Sequence, residues 1–162
     1  MSACSDDLAF DSSSLFDESD LEVRPSLIPD AGLGLFTKVH IPKYTTFCEY
    51  TGTELTLRET MQLRDKTYLM GGFGINCHID AREHPDVMAR YINDGLRKER
   101  QNARFVKHPE LKKASVVSTR DIFPGEEIYA SYGELYWRFR PCPDDSTGSI
   151  EWQSNEIPVM IH

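Results

Sequence analysis

Residues 125–137, GEEIYASYGELYW, place three tyrosines and a tryptophan within nine residues, beside two glycines and a pair of glutamates. Tyr132 directly precedes Gly133 where a strand is expected to end, and a tyrosine hydroxyl there can donate, accept or handle a proton. Tyr129, Tyr136 and Trp137 offer flat faces that pack on a ring or attract a cation. Taken alone, the run also reads as core aromatics at the end of a strand.

Three other stretches carry residue types suited to a site. GLGLF, Gly32 to Phe36, lets a backbone approach a small ligand, because glycine lacks a Cβ and tolerates positive φ. It also reads as a tight turn, and without a third glycine and a following helix it is no dinucleotide fingerprint. RYINDG, Arg90 to Gly95, and QNARF, Gln101 to Phe105, each hold an asparagine, and paired amides can recognise a polar ligand. RYINDG equally reads as a helix stop. His78, Asp80 and His84 alternate along a strand and read as a polar sheet face, so no metal site is expected. Cys4, Cys48, Cys77 and Cys142 are widely spaced with no C-x-x-C pair, so reduced thiols are expected.

The elements that must position these groups are short. From Val23 onward, apolar runs alternate with Gly and Pro, a signature of many brief strands and turns. GLGLFTKVHIP and TTFCEYTGTELT read as strands or strand pairs around a Pro42-Lys43 turn. TLRETMQLRDKTYLM reads as a helix opened by a Thr56–Glu59 capping box, and HPDVMARYIN as a second, with Pro85 in its first turn. NARFV, ASVVSTRDI and EEIYASY follow as strands. The fold class is mostly β with short helices (α+β), with no βαβ repeat and hence no doubly wound nucleotide fold.

The chain has 162 residues, 40% hydrophobic and 27% charged, enough for one domain with a real core. No run approaches the roughly 18 apolar residues of a membrane span, and no signal peptide is apparent, so a nuclear or cytoplasmic address is expected, nuclear favoured. The net charge of −8 is uneven. Residues 1–22 carry seven acidic side chains and no basic one, and read as a disordered tail; the remainder is nearly neutral.

In chain order, GLGLF, IPKYTTFCEYTG, the YL pair of TYLM, HIDA, ARYIN with Asn102 about ten residues on, and FPGEEIYASYG resemble the motifs of the SET-domain protein lysine methyltransferase family. The resemblance covers about residues 23–137, with 138–162 as a C-terminal segment that closes the substrate channel or packs on a second copy. It implies a SET fold of small β-sheets with a C-terminal pseudoknot, bringing RYIND beside EEIYASYG. It also implies S-adenosylmethionine as the cofactor and a lysine ε-amine as the methyl acceptor, most naturally in a basic tail such as a histone's.

By the same resemblance Tyr132 is the catalytic residue that orients amine and methyl. Leu33, Gly34, Tyr68, Arg90, Asn93, Asp94, Tyr132 and Trp137 form the cofactor site, and Tyr68, Phe105, Ala130 and Tyr132 the substrate channel. Asn102 supports the threaded segment, and the peptide would add beside an exposed strand near CHIDA. The family's Asn-His is Asn93-Asp94 here, followed by the charged insertion LRKERQ, and no zinc-binding cysteine segment adjoins the domain. A SET-fold interaction module without turnover, or a methyltransferase of a non-histone protein, are the alternatives. The basic residues Arg97, Lys98, Arg100, Arg104 and Lys107 read as a solvated loop more than a nucleic-acid patch.

Overall fold

The computed structural model describes residues 16–133 together with Tyr136. Trp137, the 138–162 segment, Cys4, Cys142 and residues 1–15 of the acidic tail lie outside the described residues. Four small sheets account for the strands. β1 (Leu21–Pro25) pairs antiparallel with β2 (Leu33–Thr37), Leu21 opposite Thr37. Strand structure therefore begins inside the stretch read as an acidic tail. A 3-10 helix, Glu18–Asp20, opened by an Asp17–Asp20 capping box, leads into it. Leu21 is buried and Phe16 packs against the core, and that apolar burial outweighs the acidic local composition.

β3 (Thr46–Tyr50), β9 (Lys113–Ser118) and β8 (Ala103–His108) form an antiparallel sheet in that order. β9 alternates strictly, with Ala114, Val116 and Ser118 turned inward, the period of two expected of a half-buried strand. The turn after Pro42 forms with Tyr44 in the left-handed region. The Ser118 side chain holds it, donating to the Pro42 carbonyl and accepting from the Thr45 amide.

β4 (Thr53–Leu55) and β5 (Leu69–Met70) flank β6 (His78–Asp80). This corrects two expectations about HIDA. Being paired on both sides, β6 is neither a polar solvent face nor an edge open to a peptide, and all three of its residues are buried. Among the described residues, the open edges of that sheet belong to β4 and β5.

The first helix, α1 (Leu57–Gln62), starts where the capping box predicts, with Thr56 and Glu59 exchanging hydrogen bonds, but stops after six residues. Only Thr60 is buried, while Met61 is 73% exposed, so no apolar face supports further turns. The second expected helix is a single 3-10 turn, Met88–Tyr91. Val87, Ala89 and Ile92 are buried around it, so packing and not helical length holds it.

β7 (Asn93–Asp94) pairs in parallel with β10 (Tyr129–Ala130), which puts RYIND beside EEIYASYG as the family resemblance implies. The segment before β10 also pairs with β2, through the Ile128 amide on the Leu35 carbonyl. On its other side stands Asn102, 1% exposed. Its amide nitrogen donates to the Glu127 carbonyl at 2.8 Å, and its amide oxygen accepts from the Tyr129 N–H at 2.8 Å. A buried asparagine satisfied in this way substitutes for a strand partner, which is the supporting role expected of it.

Leu35, Ile79 and Val116, from three of the sheets, make a core with Ile41, Ile92, Ile122 and Ile128 from the segments beside the strands. Each such side chain stabilises the fold by roughly 1.5–3 kcal/mol on burial. No helix among the described residues is long and apolar enough to cross a membrane.

Candidate active site

Asn93 and Asp94 are successive residues of one strand, so their side chains leave on opposite faces. Asp94, 4% exposed, accepts two backbone hydrogen bonds: Oδ1 from the Leu96 amide at 2.8 Å and Oδ2 from the Tyr132 amide at 2.7 Å. The first bond fixes Leu96 at φ 60°. The second anchors Tyr132 immediately after β10. An aspartate offers only acceptors when ionised, and the Leu96 and Tyr132 N–H groups are donors, so the residue found in place of the family's histidine suits these two partners.

Tyr132 is held at both ends. Its hydroxyl donates to the Ile92 carbonyl at 2.5 Å, and its ring meets Tyr136 edge-on, centroids 4.7 Å apart. Burial pushes the hydroxyl well above its usual range, and the neighbouring Tyr136, Asp94, Tyr50 and Tyr68 add to the shift. The phenol therefore stays protonated at neutral pH and acts as a fixed dipole, not as a base.

Tyr50, which sequence reasoning passed over, is buried and joins two expected wall residues. Its hydroxyl donates to the Tyr68 carbonyl, and its ring stands edge-on to Phe105 at 5.9 Å. The EYTG stretch was the available signal, since Tyr50 follows the strand alternation inward from Cys48. Ala130 is fully buried in the core beside β7.

Arg90, expected at the cofactor, donates from Nη1 to the Ala81 and Arg82 carbonyls at 3.0 and 2.8 Å. Its guanidinium lies 4.0 Å from the Tyr68 ring centroid, a cation–π contact that braces the wall. The Ala81 carbonyl also accepts from the His84 amide, so Nη1 joins a turn that is already hydrogen-bonded.

On the opposite face, Leu33 is 49% exposed and Gly34 is buried. A Cβ on Gly34 would fall 2.2 Å from Glu127 Oε1 and 3.3 Å from Asn93 Nδ2. What requires glycine there is thus the Glu127 carboxylate, a correction to reading GLGLF as clearance for a ligand. Asn93 Nδ2 donates to the Leu33 carbonyl at 2.9 Å and to Glu127 Oε1 at 3.2 Å. Tyr129 turns to this side too: its hydroxyl donates to Glu127 Oε2 at 2.6 Å, and its ring clusters with Ile28 and Leu96. The aromatic run is therefore divided, with Tyr129 serving a polar hub and Tyr132 with Tyr136 an aromatic wall.

The basic residues do not form one surface. Arg97, Lys98 and Arg100 sit in an exposed turn and Arg104 is exposed on β8, whereas Lys107 turns inward to donate to the Gly71 carbonyl. Burial lowers the Lys107 amine to about 8. Among the described residues no three metal-ligating side chains assemble, and Cys48 and Cys77 are free thiols.

The site thus joins a half-buried tyrosine to an Asn-Asp pair across the parallel β7–β10 pairing of a mostly β domain. The sequence model of the SET domain matches residues 32–133, well over half of the chain, and the protein belongs to that family. SET domains are in general protein lysine methyltransferases that use S-adenosylmethionine. The residues present fit the amino-acid end of that cofactor: Asn93 Oδ1 takes no donor among the described residues and lies on a half-buried side chain beside exposed Leu33.

Proposed function

We propose that the protein transfers a methyl group from S-adenosylmethionine to a lysine ε-amine in a basic protein tail, a histone tail being the first substrate class to test. The observation that carries this reading is Tyr132, fixed by the Asp94 carboxylate at its backbone and the Ile92 carbonyl at its hydroxyl. S-adenosylmethionine supplies an electrophilic methyl on a sulfonium, and Asn93 and the Leu33–Gly34 backbone are the groups that would hold it.

The remaining chemistry belongs to the chain's own side chains. A lysine must be neutral to attack, and its reference pKa is about 10.4. Walls made of Tyr50, Tyr68, Phe105 and Tyr132 disfavour the ammonium form by desolvation, and the Arg90 cation behind Tyr68 acts in the same direction. Because the Tyr132 proton is committed to the Ile92 carbonyl, the hydroxyl oxygen presents lone pairs to the amine and orients it. It does not take the amine's proton. An extended peptide would add at the open edge of β5, which directly follows Tyr68.

Calorimetric titration with S-adenosylmethionine, followed by radiolabelled methyl transfer to mixed histones on the same sample, tests the reading. Binding with transfer supports it, and binding with transfer only to other cellular proteins replaces the histone by a different tail. Absence of binding would sink it in favour of an interaction module.

A further inference from the structure

Glu127 is the most heavily bonded side chain of the site and has no role in the reading above. It is 3% exposed. Oε1 accepts from Ser26 Oγ at 2.6 Å and from Asn93 Nδ2 at 3.2 Å. Oε2 accepts from the Leu27 amide at 2.7 Å and from the Tyr129 hydroxyl at 2.6 Å. Four donors converge on a carboxylate that has about four lone-pair sites. Nothing is left over for a ligand, so its action must pass through a neighbour.

That neighbour is Asn93. An asparagine amide has two N–H donors and one acceptor oxygen. Both partners of Nδ2, the Leu33 carbonyl and Glu127 Oε1, are acceptors only. Turning the amide over would set its oxygen against a carbonyl and a carboxylate at once. Its orientation is therefore forced, and the group left for a ligand is the acceptor Oδ1. An outward acceptor recognises a cationic donor and opposes a carboxylate, and the amino-acid end of the cofactor carries one of each.

We propose that Glu127 is a positioning residue that locks the Asn93 amide with its oxygen outward, so that Asn93 selects the α-ammonium group of the cofactor's amino-acid end. The same carboxylate ties the 26–32 loop to β7, since its other donors include Ser26 and Leu27. Gly34 is then the clearance this carboxylate needs. The inference rests on the cofactor reading of the preceding section.

Two adenosine thioethers separate the possibilities: S-adenosylhomocysteine, which has the amino-acid end, and 5′-methylthioadenosine, which lacks it. Both are titrated calorimetrically into the 162-residue chain and its Glu127→Gln variant, with melting curves on the same samples. Glu127→Gln removes one acceptor from the shell and frees the Asn93 amide to turn. The expected result is about a tenfold or greater loss of affinity for S-adenosylhomocysteine and no more than about a twofold change for methylthioadenosine. A merely structural role would weaken both ligands together, and that outcome, or unchanged S-adenosylhomocysteine binding, overturns the proposal. Should Glu127→Gln fail to melt cooperatively, Asn93→Ala takes its place: the same selective loss is expected, and unaltered S-adenosylhomocysteine affinity overturns it. If the unaltered chain binds neither ligand, the cofactor reading itself falls before any variant is compared.

Discussion

Adjacent residues on one short strand serve two unlike environments. Asn93 faces a polar hub where a carboxylate gathers donors from four places in the chain and leaves one amide oxygen open. Asp94 faces an aromatic wall and spends both oxygens on backbone amides. On the proposed function, the contrast teaches how a small β domain would separate holding a ligand from orienting a reaction: a strand's alternation sends consecutive side chains to opposite faces. One face keeps spare hydrogen-bonding capacity. The other is fixed in place.

If the two faces are separate devices, substitutions should divide by face. Tyr132→Phe is expected to have the largest effect: a fall in methyl transfer of about a hundredfold or more, from losing one oriented hydroxyl, with cofactor affinity nearly unchanged. A comparable fall in calorimetric affinity would break the division. Asp94→Ala comes next. It strands two buried amides, those of Leu96 and Tyr132, and should cost on the order of 2–4 kcal/mol in denaturant unfolding. Unchanged unfolding would mean that water replaces the carboxylate and the anchor is dispensable. Arg90→Met removes a cation from behind Tyr68 while keeping bulk. The predicted loss is about 1 kcal/mol of stability, with a pH–rate profile displaced to higher pH because the substrate amine holds its proton longer.

The smallest effect is expected at Lys107, which lies outside both faces. Its folded-state amine is lowered to about 8 by burial, below its value in an unfolded chain. Between those two values the unfolded state binds more protons, so this group makes stability rise with pH from about 8 to about 10.4. Below that window, the charged amine is a burden on the fold. Lys107→Met should therefore raise stability near pH 7 by on the order of 1 kcal/mol, and should abolish the rise above pH 8. A parental chain whose melting temperature does not respond to pH in that window would contradict the assignment.

Local signals were legible where a few neighbouring residues decide the outcome. The capping box at Thr56, the strand within ASVVSTRDI and the turn after Pro42 all formed as read. What failed did so through distant partners. α1 ends early because nothing packs on Leu57 and Met61, a fact that no helical periodicity contains. HIDA became a central strand because β4 and β5 both found it.

For the site, the ordered motifs pointed to Tyr132 and Asn93 and to the contact between their segments. They did not point to Glu127. Its significance depends on Ser26 and Leu27, about a hundred positions away, and a glutamate in a G-E-E run looks like a solvated turn until those donors arrive. The requirement for glycine at position 34 was visible, yet its cause was not, because the clashing atom belongs to that distant carboxylate.

The hydrogen bonds from Ser26 and Leu27 to Glu127 also have a history in time. While the polypeptide is being made, the 26–32 loop emerges about a hundred residues before the carboxylate that must organise it, and at roughly 5–20 residues per second that is a wait of several seconds or more. Contacts that close such long loops form slowly. The proposed cofactor site is consequently among the last parts of the molecule to be born, completed only when residues 127–132 slot between strands already waiting for them.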